Sequence, residues 1–170
     1  QALGHVGHGI PDLGLTLFGA VDALDDLSRL AKELGVEDRV DFHNEVYASQ
    51  LPPLIAQAEA GVVPNRNDLF TDTLLPTKLL EYVALDTPVI AARTRTIAAY
   101  FDDSMVRFFR PGDASDLADA ILELSGDHAH LKLLARNARK FDEKHSWTQV
   151  AAQYAALVDR LNGRQTVGKP

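Results

Sequence analysis

The sequence predicts an α/β fold, an open parallel sheet with helices on both faces. Short apolar, β-rich runs alternate with stretches of helical periodicity along the chain, the pattern of strands joined by helical crossovers. The 170 residues, 46% of them hydrophobic, suffice for one ordinary core. Residues 15–20 form the first expected strand. Leu24, Leu27, Leu30, Ala31 and Leu34 then recur at helical spacing, and Gly35 supplies the stop. A short strand follows at 39–43. Residues 49–58 read as a helix with Pro52 and Pro53 in its first turn, leading into a buried strand at 60–63. The polar stretch 65–74 is a loop of the kind that carries function on a rigid scaffold.

A helix bearing Lys78 and Glu81 comes next, then a tight turn and a strand at 88–92. A short helix at 96–101 and a strand at 106–109 precede Asp113, which has the character of an N-cap, with Asp116 in the first turn behind it. That helix runs through Leu117, Ala120, Ile121 and Leu124. Two more helices are expected at 129–140 and 147–161. One domain over residues 1–162 and a frayed tail at 163–170 complete the reading.

Composition removes several functions. A net charge of −7 argues against nucleic-acid binding, which rests on clustered Lys and Arg. With no cysteine there are no disulfides or thiolate metal sites, in keeping with a reducing, cytoplasmic compartment. No segment has the apolar length of a membrane span, and no secretory signal opens the chain. Gln1 is the first residue and Met105 the only methionine, so the sequence reads as a piece of a longer protein.

The most informative stretch is 75–90, Leu-Pro-Thr-Lys-Leu-Leu-Glu-Tyr-Val-Ala-Leu-Asp-Thr-Pro-Val-Ile. Pro76 suits a first helical turn, because proline fixes φ where no amide donor is needed. Leu79, Leu80, Val83 and Ala84 share one arc, leaving Thr77, Lys78 and Glu81 outside it. Free amides and the positive dipole end at such a helix start suit a phosphate. Lys78 adds charge there, and Glu81 can accept hydrogen bonds from sugar hydroxyls. In an open α/β sheet ligands sit beyond the carboxyl ends of the strands, which selects the loops 19–22, 43–47, 65–75 and 93–96.

This stretch resembles the donor-site signature of GT-B glycosyltransferases, in particular the large retaining family four. Residues 15–19, 31–42, 61–66 and 109–113 match further landmarks in order, so the resemblance covers roughly residues 11–162. It implies a Rossmann-like, partial C-terminal domain whose first strand is missing, with Gln1 to Gly9 the tail of its first helix. It implies a nucleotide-diphosphate sugar as donor substrate, no obligatory metal, and transfer to an acceptor held by an absent N-terminal domain. Loop 43–47, with Val46, would flank the nucleobase, His43 standing at its start. Arg66 and Thr73 would lie in the loop over the sugar and diphosphate. Thr77, Lys78 and Glu81 would bind the donor, Glu81 at the ribose. The cationic pair that commonly stabilises the departing diphosphate falls outside this chain, so catalytic residues stay unassigned and the isolated chain is expected to be inactive. The helix with Trp147, Tyr154 and Leu157 resembles one that crosses back towards the absent domain. Peripheral membrane association of the parent is left open, as are polysaccharide, glycolipid and small-molecule acceptors.

Two departures stand out. The family often carries a paired glutamate eight residues before the one matched by Glu81, where this chain has Thr73, with Asp68 and Asp72 nearby as stand-ins. Asp86 occupies a turn position usually held by glycine, which Asp tolerates. A nucleotide-binding or interaction module without transfer chemistry, and a GT-B-fold sugar-nucleotide epimerase, are the alternative functions. His5 and His8 have a metal-like spacing but no third partner. Gly4, Gly7 and Gly9 lack the preceding strand of a dinucleotide fingerprint, and neither a phosphate loop nor a nucleophile triad is present.

Overall fold

The computed structural model describes residues 1–6, 9–66 and 68–163. His8 and Gly7, and all but the first residue of the expected tail, lie outside them. The elements run α1 (Ala2–Val6), β1 (Leu15–Gly19), α2 (Val21–Glu33), β2 (Val40–Asn44), α3 (Leu51–Ile55), β3 (Gly61–Val63), α4 (Thr77–Ala84), β4 (Val89–Ala92), α5 (Arg95–Tyr100), β5 (Arg107–Phe109), α6 (Ala114–Leu124), α7 (His128–His145) and α8 (Trp147–Leu161). Short 3-10 turns at Glu37–Arg39, Ala48–Gln50 and Thr71–Thr73 link them.

The parallel α/β class is as the sequence predicts. The strands, however, form two ladders rather than one continuous sheet: β1 with β2, and β3-β4-β5 in that order, all parallel. β4 is the central strand of its ladder. All four of its residues are buried, and they point alternately to two faces. Val89 and Ala91 join Val63, Leu79, Val83, Ile97 and Phe108 on one side. Ile90 and Ala92 join Phe109, Ala120, Leu124, Leu131 and Leu134 on the other. Helices therefore cover both faces, and α7 reaches both cores through Leu131, Leu134 and Ala138. In β1 the residues alternate between half-buried and exposed, as expected of a strand covered on one face. A separate cluster of Leu3, Ala31 and Val36 covers it.

Several local expectations shift. In α2 Leu24 and Ala31 are buried while Leu27 and Leu34 are exposed, so the buried stripe is narrower than the leucine spacing suggests. Arg39 lies in a 3-10 turn rather than in β2. Its guanidinium donates to the carbonyls of Leu13 (3.1 Å) and Ile10 (2.9 Å), pinning the segment that enters β1. The expected helix over 49–58 is a 3-10 turn followed by the five residues of α3. Helix α7 continues five residues beyond Lys140. The extension carries Phe141, whose ring stacks near Phe101 (4.6 Å between centroids) and His145 (4.4 Å).

Two features fix α4. Its approach to β3 is close: a Cβ on Gly61 would come within 2.3 Å of the Tyr82 ring. At its end the chain turns through Asp86, at φ 56°, while the Asp86 carboxylate accepts from Arg139 Nη1 at 2.6 Å. The expected N-cap is present on α6, where the Asp113 carboxylate accepts from the amides of Ser115 and Asp116, both at 3.0 Å.

Candidate functional site

The long connection from β3 to α4 lies at the carboxyl end of β3 and is tied to the start of α5, which follows β4. Asp68 organises its first half: one carboxylate oxygen accepts from the amides of Phe70 (3.0 Å) and Thr71 (2.8 Å). These bonds, that of Thr71 first, hold the Asp68 carboxyl below the usual carboxylate range. The Thr71 hydroxyl donates to the Arg66 carbonyl, and the Thr73 hydroxyl to that of Phe70 at 2.9 Å. Asp72 ties the loop to α5. Its carboxylate accepts from the Arg95 amide at 2.7 Å, and its carbonyl accepts from the Thr96 hydroxyl at 2.8 Å. Both acids that stood near the expected glutamate position thus serve backbone amides, Asp68 those of its own loop and Asp72 that of Arg95 in α5.

Helix α4 follows. Pro76 sits just before it, in extended geometry (φ −68°, ψ 130°), so the helix opens at Thr77 rather than at the proline. The Pro76 carbonyl accepts from the Leu79 amide at 3.1 Å, and the Thr77 and Lys78 amides precede the helix's own ladder. The buried seam is Leu79 and Val83, flanked by half-buried Leu80 and Tyr82. Ala84, expected on that seam, is exposed, and Tyr82 takes its place over Gly61. Burial holds the Tyr82 phenol above its usual range, with the nearby Glu81 charge adding to the effect.

Thr77, Lys78 and Glu81 all face solvent. Among the described residues Lys78 and Glu81 make no hydrogen bond or ion pair, with each other or with anything else. Apart from Arg66, whose side chain is exposed, the arginines at these strand ends, Arg93, Arg95 and Arg110, are engaged. Arg95 lies 3.5 Å from Asp72, and Arg110 reaches Asp113 (3.0 Å) and Asp116 (3.3 Å). Arg93 folds back over the Phe108 ring, 4.0 Å from its centroid, and pairs with Asp103. Lys78 is thus left available to an anion from outside.

The remaining expected residues divide between two places. Arg66 and Thr73 belong to one hydrogen-bonded loop, with the Arg66 side chain exposed. Val46 is half-buried in the loop after β2, and no hydrogen bond or ion pair joins it to α4 among the described residues. His43 stacks on Phe18, its register partner across the β1–β2 ladder, at 5.1 Å and 21° between planes. Spacing alone did not single out three apolar side chains: Tyr47, Leu69 and Phe70 are 82%, 96% and 72% exposed. Placing Tyr47, Leu69 and Phe70 in loops at strand carboxyl ends was the signal that could have found them. Among the described residues no three His, Asp or Glu side chains gather in a metal-holding cluster.

Comparison with known proteins agrees with the fold. Residues 2–127 match the model of the family described as glycosyl transferases group 1. The D-inositol 3-phosphate glycosyltransferase of Arthrobacter sp. (strain FB24) is 30% identical over 156 residues, which cover 88% of this chain and 36% of that protein. The mannosylfructose-phosphate synthase of Agrobacterium fabrum is 28% identical, over 80% of this chain and 29% of its own length. Among solved structures, sucrose-phosphate synthase from Thermosynechococcus elongatus superposes with a TM-score of 0.82 at 24% identity, over 96% of this chain and 42% of that one. Anabaena HepE, in complex with UDP and glucose, gives 0.74 at 19% identity, over 86% and 40%. The chain thus spans well under half the length of these relatives.

Proposed function

This chain belongs to the group 1 glycosyltransferase family, and on that premise we propose that it supplies the donor-binding part of a glycosyltransferase. The donor is a nucleotide-diphosphate sugar. The observation that carries this reading is that Lys78 and Glu81, at the opening of α4 beyond the strand ends, face solvent and have no partner among the described residues. Lys78 and the first amides of α4 face the diphosphate, where fixed positive charge also stabilises the leaving group as the glycosidic bond breaks. Glu81 accepts from the ribose hydroxyls one turn along. Arg66 adds charge from the loop, Thr73 faces the sugar, and Val46 borders the base. HepE, of similar fold, was crystallised with UDP and glucose, and the two relatives above are named for glycosyl transfer or sugar-phosphate synthesis.

The parent protein moves the sugar, with retention of anomeric configuration, to an acceptor held by a further domain, and this chain alone is inactive. It works on the cytoplasmic side, and among the described residues no helix is long and apolar enough to cross a membrane. Calorimetric titration of the intact protein with a panel of nucleoside diphosphates tests the reading. Saturable binding of one of them, displaced by its nucleotide-sugar, is expected. A folded protein that binds none would favour an interaction module instead.

The divided sheet fits the same proposal. β1 and β3 each pair on one side only among the described residues, so a further parallel strand from the parent would join them into one doubly wound sheet. On α8, Trp147, Tyr154 and Leu161 are 81%, 68% and 75% exposed, a stripe that the parent's other domain would cover. Hydrogen exchange offers the check. Amides of β1, β3 and α8 are expected to exchange at least ten-fold more slowly in the intact protein than in the chain of residues 1–170. Equal rates would contradict this.

A further inference from the structure

A cavity of about 550 Å³ opens at the end of the three-stranded ladder away from the donor loops. Glu59 and Pro88, on its wall, precede β3 and β4 at the amino ends of those strands. Its other wall is helix α7, which presents His128, Lys132, Arg136 and Arg139 at successive spacings of four, four and three residues, hence along one face. Pro88 and the buried Leu131 and Ala135 line it with apolar surface.

The charges there are unevenly used. Asp86 accepts from Arg139 at 2.6 Å, and Glu59 lies 3.8 Å from His128. Lys132 and Arg136 make no hydrogen bond or ion pair among the described residues. Two like charges one helical turn apart repel each other unless an anion lies between them. The segregation is local: the chain carries a net −7, whereas α7 sets five Lys or Arg against two carboxylates.

We propose that this cavity binds the phosphate group of a small phosphomonoester, held between Lys132 and Arg136. The guanidinium offers a bidentate fork to two phosphate oxygens and the ammonium a compact charge to the third. The apolar lining receives the carbon part of the ester. A small ligand suits the site better than a bilayer because the opening is concave, while Glu59 and Asp86 at its wall face His128 and Arg139 and leave Lys132 and Arg136 to the phosphate. The site lies at the opposite end of the strands from Lys78 and Glu81 and does not depend on the donor reading.

The intact protein is titrated with inorganic phosphate and with glycerol 3-phosphate at constant ionic strength, followed by amide chemical shifts and calorimetry. Saturable binding is expected, with shifts concentrated in residues 128–139 and around Asp86, and it persists with a nucleoside diphosphate present in excess. Lys132→Ala/Arg136→Ala, both at exposed positions, is expected to weaken binding at least ten-fold, while Lys132→Arg retains it. Circular dichroism checks that the variants fold. No saturable binding, binding unchanged in the double variant, or binding only to vesicles containing phosphatidylglycerol would each overturn the proposal.

Discussion

Leu79→Ala is expected to lower the unfolding free energy by about 2–5 kcal/mol, the range for a buried leucine truncated in a packed core. Leu79 has no solvent exposure and sits among Val63, Val83, Val89, Ala91 and Ile97. Its neighbours come from β3, β4, α4 and α5, so the space left cannot be closed by one element moving. Lys78, the adjacent residue, points to solvent and makes no ion pair or hydrogen bond among the described residues. Lys78→Ala is therefore expected to stay within about 0.5 kcal/mol of the parent, as surface substitutions do. Urea unfolding of both variants makes the comparison. Similar losses would mean that α4 does not seat on the ladder as described.

Gly61→Ala is expected to cost about 1–3 kcal/mol, the scale of overpacking. The added Cβ would stand 2.3 Å from Cδ2 and 2.5 Å from Cε2 of Tyr82. The backbone of Gly61 cannot retreat easily, because its amide donates to the Pro88 carbonyl at 2.8 Å and it pairs with Val89 in the ladder. The ring must swing instead, and it lies one residue from Glu81. A second variant separates cause from coincidence. In Gly61→Ala/Tyr82→Ala the clash disappears, so the double variant is expected to lose less than the two single losses together. Additive losses would show that the ring and the glycine do not meet.

How far the sequence spoke depended on the range of the interaction. β4 was legible because four apolar residues in a row, bounded by Pro88, suit a strand covered on both faces. The Asp113 cap was legible because capping is settled within three residues. The division of the sheet was not, since pairing between β1 and β3, or its absence, is decided by strands distant in sequence. The end of α7 was missed because Asp142, Glu143 and Lys144 show no apolar period; only Phe141, packed against Phe101, extends the helix's buried side. At the site, Lys78 and Glu81 stood out because residue type and helical spacing say where they face. The local turn at Asp68, whose partners lie two and three residues on, was open to the same kind of reading as the Asp113 cap, whereas the partner of Asp72 lies 23 residues away and could not be read.

On the donor-binding proposal, α4 reads the donor in two parts, diphosphate at Lys78 and ribose at Glu81. Calorimetric titration of the intact protein, Lys78→Ala and Glu81→Ala with a nucleoside diphosphate and its parent nucleoside tests it most directly. Glu81→Ala is expected to weaken both ligands by about 1–3 kcal/mol, the scale of hydrogen bonds to a charged group. Lys78→Ala is expected to weaken the diphosphate alone and to leave the nucleoside unchanged. Unchanged affinity for the diphosphate in both variants would contradict the account.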